Sequence, residues 1–211
     1  MIPKVIHYCW FSDKPGYPDD LRKFLDSWKK HLPDYEIKLW NVDNFDVNQS
    51  NDYVKEAMAE GKYAFVSDFV RLWALYNYGG VYLDSDVEVF KSFDPLLDCP
   101  GFIGFESDKS VASCLIASEV NNPLLKELMT AYNDRHFITE DGRLDLTPNP
   151  FPITKCLIKH GLKINNELQR LDNMVVYPQT FFVHLILIIQ MRICSVIIPM
   201  LCITTMAVGK R

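Results

Sequence analysis

A helix that runs into two glycines and then an apolar strand is the feature that most constrains this chain. Residues 64–78 are predicted to form a helix, because Phe65, Phe69, Leu72 and Tyr76 follow one another at helical spacing and would form one apolar stripe. Gly79 and Gly80 follow, as glycine does where a helix ends. Residues 81–84 then read as a buried strand. This succession is typical of the repeating unit of an α/β domain.

The same alternation recurs along the chain. Further strands are predicted at residues 5–10, 35–40, 87–90, 101–105 and 114–117, and further helices at 21–32, 52–60, 123–132 and 153–160. We therefore predict an α/β, Rossmann-like domain over residues 1–180, with a mainly parallel sheet flanked by helices. In such sheets, ligands bind at the carboxyl ends of the strands.

Two aspartates follow the predicted strand at residues 81–84. Asp84 and Asp86 form a D-x-D pattern, which the eighteen aspartates of this chain would produce roughly 1.5 times by chance. Their position at a strand end makes the pair more informative, because both carboxylates can reach one cation through the turn. Mg²⁺ and Mn²⁺ prefer oxygen ligands, and Mg²⁺ often combines one or two carboxylates with substrate phosphates. We favour a metal site over a solvated turn.

Asp68 and Arg71 lie three residues apart on the preceding helix, off its apolar stripe. One interpretation is an ion pair on the helix surface, which contributes about 0.3–0.5 kcal/mol. The other is a polar clamp on the hydroxyls of a transferred sugar. The spacing alone favours the surface ion pair.

Charge and cysteine usage narrow the function classes. The net charge of −5 and the absence of a long basic stripe argue against nucleic acid as a partner. The six cysteines are scattered, without a zinc-type spacing, which indicates reduced thiols and a cytoplasmic protein. Because the chain opens on an apolar strand, we expect no signal peptide.

Residues 64–71 (AFVSDFVR) and 75–86 (LYNYGGVYLDSD) together resemble the glycosyltransferases whose sugar-binding region contains a DXD motif. That group includes bacterial capsular-polysaccharide transferases and fungal initiation-type mannosyltransferases. Residues 2–11 (IPKVIHYCWF) are similar to the first strand of the family. The combined pattern S-D-x-x-R, then G-G-x-Y-x-D-x-D, is far more specific than D-x-D alone, and the resemblance covers about residues 1–180.

The resemblance implies a retaining, metal-dependent hexosyltransferase of the GT-A fold. Such an enzyme would use Mn²⁺ or Mg²⁺, take its sugar from a nucleotide-sugar donor, and act on a glycan or lipid-linked acceptor in surface (capsular) polysaccharide synthesis. By position, Asp84 and Asp86 match the family's metal and nucleotide residues, and Asp68 and Arg71 match residues that hold the donor sugar. No protein nucleophile can be named, and a front-face departure of the diphosphate would need none.

The resemblance also assigns residues around the nucleotide. Trp10 matches an aromatic residue that stacks on the nucleobase, Cys9 beside it offers backbone contacts, and Tyr82 matches a tyrosine beside the diphosphate. Without the resemblance, Trp10 reads equally well as a core aromatic. We expect His7 to be a hydrogen-bonded strand histidine rather than a ligand, and Glu106 to line the acceptor side.

The chain changes character near residue 181. No acidic residue follows Asp172, and Arg192 is the only charged residue in 181–208. We rank first a shifted reading frame near codon 182, because the alternative frame can encode the polar His-His…Gly-Ser-Trp segment expected by the family. If the frame is shifted, this chain would lack the family's last donor-site histidine, which puts its activity in doubt. A membrane-associating segment at the inner face of the membrane ranks second, since Gln190, Arg192 and Pro199 are costly in a bilayer, and a buried element is the third interpretation.

Two other functions stay open at this point. The first is a truncated, inactive transferase or sugar-binding remnant, which would bind nucleotide without turnover. The second is a phosphohydrolase whose strand ends in D-x-D. In such enzymes the first aspartate is a nucleophile near the N-terminus, whereas this pair stands at residues 84 and 86 after two α/β units.

Overall fold

The structure is a computed structural model that describes residues 1–14, 16, 19–182 and 185–188. The strands are β1 (Val5–Cys9), β2 (Glu36–Trp40), β3 (Gly80–Leu83), β4 (Val87–Val89), β5 (Gly101–Phe105), β6 (Val111–Ser118), β7 (Gln169–Leu171), β8 (Met174–Tyr177) and β9 (Ile186–Ile188). The helices are α1 (Asp19–His31), α2 (Asp52–Ala59), α3 (Tyr63–Tyr78), α4 (Pro123–Thr130), α5 (Pro150–Lys159) and α6 (Gln179–Phe182). Two short 3-10 turns lie at Val47–Gln49 and Asp94–Leu96.

Seven of these strands form one mixed sheet in the order β2-β1-β3-β6-β5-β8-β7. The pairs β1–β2, β1–β3 and β5–β8 are parallel, whereas β6 and β7 pair antiparallel with their neighbours. Five of the seven strands therefore run in one direction. The prediction of a largely parallel sheet holds for those five, and β6 and β7 are the departures from it.

Apolar side chains cover both faces of the sheet. One cluster contains buried residues of α2, α3, α4 and α5, and the other contains Phe24 and Trp28 of α1. Along β3 the side chains alternate between the clusters, with Tyr82 on the α3 side and Val81 and Leu83 on the α1 side. The helices thus enclose the sheet, which leaves its strand ends as the accessible edge.

The two glycines between α3 and β3 meet a geometric need. Gly79 has φ 63° and Gly80 has φ 102°. Residues with a Cβ rarely adopt such positive φ values. A Cβ at Gly80 would lie 2.5 Å from the Val5 carbonyl oxygen, because β1 passes directly alongside. The glycines let the chain turn from the helix into the central strand without displacing β1.

We expect Gly80→Ala to lower the free energy of unfolding by about 2–4 kcal/mol, because backbone strain and a backbone clash act together. Urea denaturation followed by circular dichroism measures this change. Gly142→Ala is the matched control, since Gly142 also has a positive φ (76°) but has open space around its Cβ position. Equal destabilisation by both substitutions would show that the approach of β1 is unimportant.

His7 fixes the same corner from β1. Its Nε2 lies 2.7 Å from the Gly79 carbonyl oxygen and donates to it, while its Nδ1 accepts from Trp40 Nε1 at 3.1 Å. Both ring nitrogens are therefore used, as the sequence predicts for a hydrogen-bonded strand histidine. Burial lowers the pKa of His7 to about 4, against an ordinary value of 6.5.

This shift predicts a dependence of stability on pH. Because the folded-state pKa of His7 is the lower one, its contribution is complete above about pH 6.5 and is lost as the pH falls toward 4. We expect a loss of up to about 3 kcal/mol over that window. We expect the His7→Gln variant to be less stable than the native protein at pH 7 and to lose this part of the pH dependence. The His31→Gln variant should retain it. An unchanged pH profile in His7→Gln would contradict the assignment.

Of the apolar tail, residues 181–211, the structure describes residues 181–182 and 185–188. Ile186–Ile188 forms β9, which pairs antiparallel with β4 directly after the D-x-D turn. Residues 189–211, on which the frame-shift and membrane interpretations mainly depend, lie outside the described residues. Among the helices that are described, none combines the length and the apolarity that a bilayer crossing requires.

Candidate functional site

The D-x-D pair lies where β3 leaves the sheet. The Asp84 amide donates to the Cys114 carbonyl oxygen at 2.9 Å, and the Val87 amide donates back to the Asp84 carbonyl oxygen at 3.1 Å. These two bonds close a turn that presents Asp84, Ser85 and Asp86 as partly exposed residues. The pair therefore occupies the carboxyl end of a central strand, as predicted.

One arginine joins two of the predicted site residues. Arg71 Nη2 lies 2.9 Å from Asp68 Oδ1 and 3.3 Å from Asp84 Oδ1. Its Nη1 donates to the Ser113 carbonyl oxygen at 2.6 Å, and its Nε donates to the Ser67 carbonyl oxygen at 3.4 Å. The guanidinium is thus fixed on three sides and holds Asp84 in place.

Asp68 and Arg71 do form the i,i+3 ion pair, but the expected surface position is wrong. The side chains are only 12% and 6% exposed, and Asn149 lies against Asp68 while residues of β3 and β6 lie against Arg71. Burial raises the pKa of Asp68 to about 6, and the charge of Arg71 opposes that shift. The pair is an internal feature of the site and not a solvated one.

Tyr82 supports Asp84 from within the core. Its hydroxyl donates to Asp84 Oδ1 at 3.0 Å, and its ring lies 4.7 Å below the Arg71 guanidinium carbon. The residue is 1% exposed. In this structure Tyr82 therefore orients Asp84, and its predicted place beside a diphosphate stays a prediction.

Cys9 and Trp10 lie at the end of β1, next to β3. In the parallel pair β1–β3, His7 lies opposite Tyr82. Cys9 follows His7 by two residues and Asp84 follows Tyr82 by two, so Cys9 and Asp84 lie at the same level. The Cys9 thiol is buried, which raises its pKa to about 12. Trp10 is partly exposed and its amide donates to the Trp40 carbonyl oxygen at 2.9 Å. Both residues thus border the same strand edge as the D-x-D turn.

Glu106 follows β5 on this edge. Its amide donates to the Ser110 carbonyl oxygen at 2.9 Å, and its own carbonyl accepts from Gln179 Nε2 at 2.7 Å. Burial and the charge of Asp84 both raise the pKa of Glu106, and the same two causes raise the pKa of Asp86. Asp84 therefore lies close enough to Asp86 and to Glu106 to disfavour the charged form of each.

The donor set at this turn fits a hard divalent cation. Tyr82 and Arg71 both contact the same oxygen of Asp84, Oδ1, and they fix the orientation of that carboxylate. Asp84 and Asp86 supply carboxylate oxygens at a partly exposed turn, which is the ligand type that Mg²⁺ and Mn²⁺ prefer. Repulsion among neighbouring carboxylates also favours a bound cation.

Asn149 is a site residue that the sequence analysis missed. Its Nδ2 donates to the Asp68 carbonyl oxygen at 2.9 Å, and its Oδ1 accepts from the Tyr132 hydroxyl at 3.2 Å. The residue is 2% exposed and immediately precedes α5. The only sequence signal was an Asn-Pro dipeptide, which indicates a turn but not a contact with Asp68.

Comparisons with known proteins identify similar sequences and a similar fold. Residues 18–102 match the family described as "Glycosyltransferase sugar-binding region containing DXD motif". Inositol phosphoceramide mannosyltransferase 3 of Schizosaccharomyces pombe is 29% identical over 134 residues, which cover 61% of this chain and 36% of that protein. Inositol phosphoceramide mannosyltransferase 1 of the same yeast is 25% identical over 201 residues, covering 87% of this chain and 60% of that protein. The chain thus spans about one third to three fifths of the length of these relatives.

Among solved structures, the PaToxG glycosyltransferase superposes with a TM-score of 0.59 at 21% sequence identity, covering 75% of this chain and 68% of that chain. This likeness concerns the fold, and it confirms the expected α/β fold of the GT-A type. The family match contains α3, the glycine turn and both aspartates of the D-x-D pair. Residues 18–102 of this chain therefore resemble the sugar-binding region, with its DXD motif, of this family of glycosyltransferases.

Proposed function

We propose that this protein transfers a hexose from a nucleotide-sugar donor to a glycan or lipid-linked acceptor, with Asp84 and Asp86 holding a divalent cation. The observation that carries the proposal is the Arg71 guanidinium, which binds Asp68 and Asp84 at once and fixes a carboxylate at the end of β3. Such pre-organisation suits a site that must neutralise a departing diphosphate.

The roles divide by exposure. Asp84 and Asp86 are the partly exposed carboxylates, and we assign the Mn²⁺ or Mg²⁺ to them. When bound, that cation would act as a Lewis acid on the diphosphate. Asp68, Arg71 and Tyr82 are buried, so they act chiefly by positioning Asp84, and Asp68 and Arg71 contact the donor sugar only through their small exposed fraction. Trp10 would stack on the nucleobase, with Cys9 contributing backbone contacts.

We further propose that transfer retains the anomeric configuration. The bond between the anomeric carbon and the diphosphate oxygen breaks, and the acceptor oxygen bonds to the same face of that carbon. The acceptor proton passes to the departing diphosphate oxygen, so no protein nucleophile is consumed. The protein supplies positioning and charge stabilisation.

The relatives suggest which substrates to test first. Two of them are named inositol phosphoceramide mannosyltransferases, so a mannosyl donor and a glycolipid or lipid-linked acceptor come before capsular glycans. A lipid-linked acceptor would bring the enzyme to a membrane surface. The described cysteines Cys9, Cys99, Cys114 and Cys156 are free thiols, which supports the proposal of a cytoplasmic location.

The test is donor turnover by the full chain. Nucleotide-linked mannose, glucose and galactose are incubated with Mn²⁺ or Mg²⁺, and release of the nucleoside diphosphate is measured with and without acceptor. We expect one donor to turn over only with a divalent cation, and the anomeric configuration of its product is read by NMR. Binding of a nucleoside diphosphate without turnover of any donor would favour an inactive remnant. Hydrolysis of generic phosphate esters in its place would favour the phosphohydrolase.

Asp86→Asn is the variant that belongs to this test. We expect it to lower turnover about 100-fold, because one of two cation ligands loses its charge while the side-chain shape is kept. Asp134→Asn, an exposed aspartate on the loop after α4, is the matched control and should behave as the native protein. Native turnover in Asp86→Asn would remove Asp86 from the cation site.

A further inference from the structure

A second cluster of metal-ligating side chains joins α4 to α5, outside the D-x-D site. Glu127 lies on α4 and Cys156 lies on α5. His160 directly follows α5, one helical turn after Cys156. A carboxylate oxygen, the thiol sulfur and an imidazole nitrogen from these three residues all lie within 4.8 Å of one another. Among the residues that the structure describes, this is the only such group of three or more His, Cys, Asp or Glu side chains.

We propose that Glu127, Cys156 and His160 bind a Zn²⁺ ion that clamps α5 to α4. Nothing in this inference depends on the proposed transferase activity, because none of these residues belongs to the D-x-D turn.

The three side chains already converge without an ion. His160 Nε2 lies 2.7 Å from Glu127 Oε2, and the Cys156 sulfur lies within 4.8 Å of a ligand atom of each of these two residues. A proton therefore links the imidazole and the carboxylate at the position where a cation would replace it. Tetrahedral zinc, with bonds of about 2.0–2.3 Å, places its ligands roughly 3.3–3.7 Å apart, so only small side-chain shifts are needed.

The ligand types select the ion. A thiolate and an imidazole favour Zn²⁺ over Mg²⁺ or Ca²⁺, which prefer oxygen ligands only. Cys156 is 6% exposed, whereas the side chains of Glu127 and His160 are 42% and 43% exposed. The site is therefore anchored in the core and open on one side, which leaves the fourth position for a water molecule. Binding releases the thiol proton to solvent.

The position gives the ion a structural consequence. On α5, Thr154 Oγ1 accepts from the Val111 amide at 3.0 Å, where β6 begins. Asn149, immediately before α5, holds the Asp68 carbonyl oxygen. A clamp between α4 and α5 would thus steady α5, which contacts β6 through Thr154 and is preceded by the Asn149 that contacts Asp68.

The experiment uses Co²⁺ as a spectroscopic probe on the full chain, reduced and freed of metal. A cobalt ion bound by a thiolate absorbs in the near ultraviolet, whereas the same ion at the D-x-D carboxylates does not. We expect about one equivalent of Co²⁺ to produce this absorption and Zn²⁺ to abolish it by displacement. Zn²⁺ is also expected to raise the Tm of the native protein, because it binds only the folded state.

Variants separate this site from the rest of the protein. Cys156→Ser should abolish the thiolate absorption, whereas Cys99→Ser, which changes a different free thiol that is partly buried, should retain it. His160→Gln and Glu127→Gln should weaken Co²⁺ binding at least about 10-fold and reduce the Tm gain from Zn²⁺. Because both residues are exposed, these two variants stay informative if Cys156→Ser fails to fold. Asp84→Asn should keep the absorption in full.

Three results would overturn the proposal. The first is Co²⁺ binding without thiolate absorption. The second is absorption that survives in Cys156→Ser or is lost in Cys99→Ser. The third is native Co²⁺ affinity in both His160→Gln and Glu127→Gln. None of these outcomes bears on donor turnover, so the zinc site and the transferase proposal can fail independently.

Discussion

Asp84→Asn is expected to reduce sugar transfer about 1,000-fold or more, equivalent to about 4 kcal/mol of transition-state stabilisation. The substitution keeps the shape of the side chain, so its oxygen can still accept from Tyr82 and Arg71. It removes one of two carboxylate charges from the proposed cation site and the charge opposite Arg71. The effect should exceed that of Asp86→Asn, because Asp84 is the carboxylate that the buried network orients.

The measurement is nucleoside diphosphate release at several Mn²⁺ concentrations, with Asp134→Asn as control. A raised Mn²⁺ requirement together with a lower maximum rate is the expected pattern. Thermal denaturation of the same samples checks that the variant remains folded. If Asp84→Asn keeps more than one tenth of native turnover at saturating Mn²⁺, Asp84 is not a principal cation ligand.

Arg71→Met is the variant with the largest expected effect on stability. It leaves Asp68 buried without its nearest cation and removes the donors to the carbonyl oxygens of Ser67 and Ser113. Removing one partner of a buried ion pair costs about 3–5 kcal/mol, because the remaining charge stays desolvated. Urea denaturation measures the loss, and transfer activity should fall as well because Asp84 loses its support.

Arg143→Met is the matched control for this substitution. Arg143 pairs with Asp141 two residues away, but its side chain is 83% exposed. Solvent screening makes such a pair nearly neutral to stability, so the unfolding curve should hardly move. Similar unfolding curves for the two arginine variants would mean that the Arg71 network does not stabilise the fold.

The sequence predicted the local structure around Asp84 correctly. The helix, the two glycines and the strand before Asp84 are neighbours in the chain, so their arrangement follows from periodicity and the turn chemistry of glycine. The spacing of Asp68 and Arg71 likewise predicted their contact. Their burial could not be read from the same segment, since it depends on residues from distant parts of the chain, such as Asn149 beside Asp68 and Ser113 beside Arg71.

The direction of β6 was missed, although a signal existed. Residues 106–110, which join β5 to β6, are far too few for the crossover that parallel neighbours require, so an antiparallel pair was the expected outcome. Strands β7 and β8, with three and four residues, are too short to show a clear period. Asn149 is separated from Asp68 by 81 positions, and no local rule joins residues at that distance.

The pairing of β4 with β9 sets an order on how the nascent chain can mature. The parallel core of β1, β2 and β3 needs only residues up to Leu83, so it can assemble early in synthesis. Val87 pairs with Ile188, so β4 gains this partner only after about a hundred more residues have left the ribosome. Before that pairing forms, the segment after Asp86 can contact α1, since Trp28 Nε1 donates a hydrogen bond to the Val87 carbonyl oxygen. The strand pair that follows the D-x-D turn is thus among the last parts of the described structure to become complete, so a change in residues 186–188 would affect the chain beside that turn.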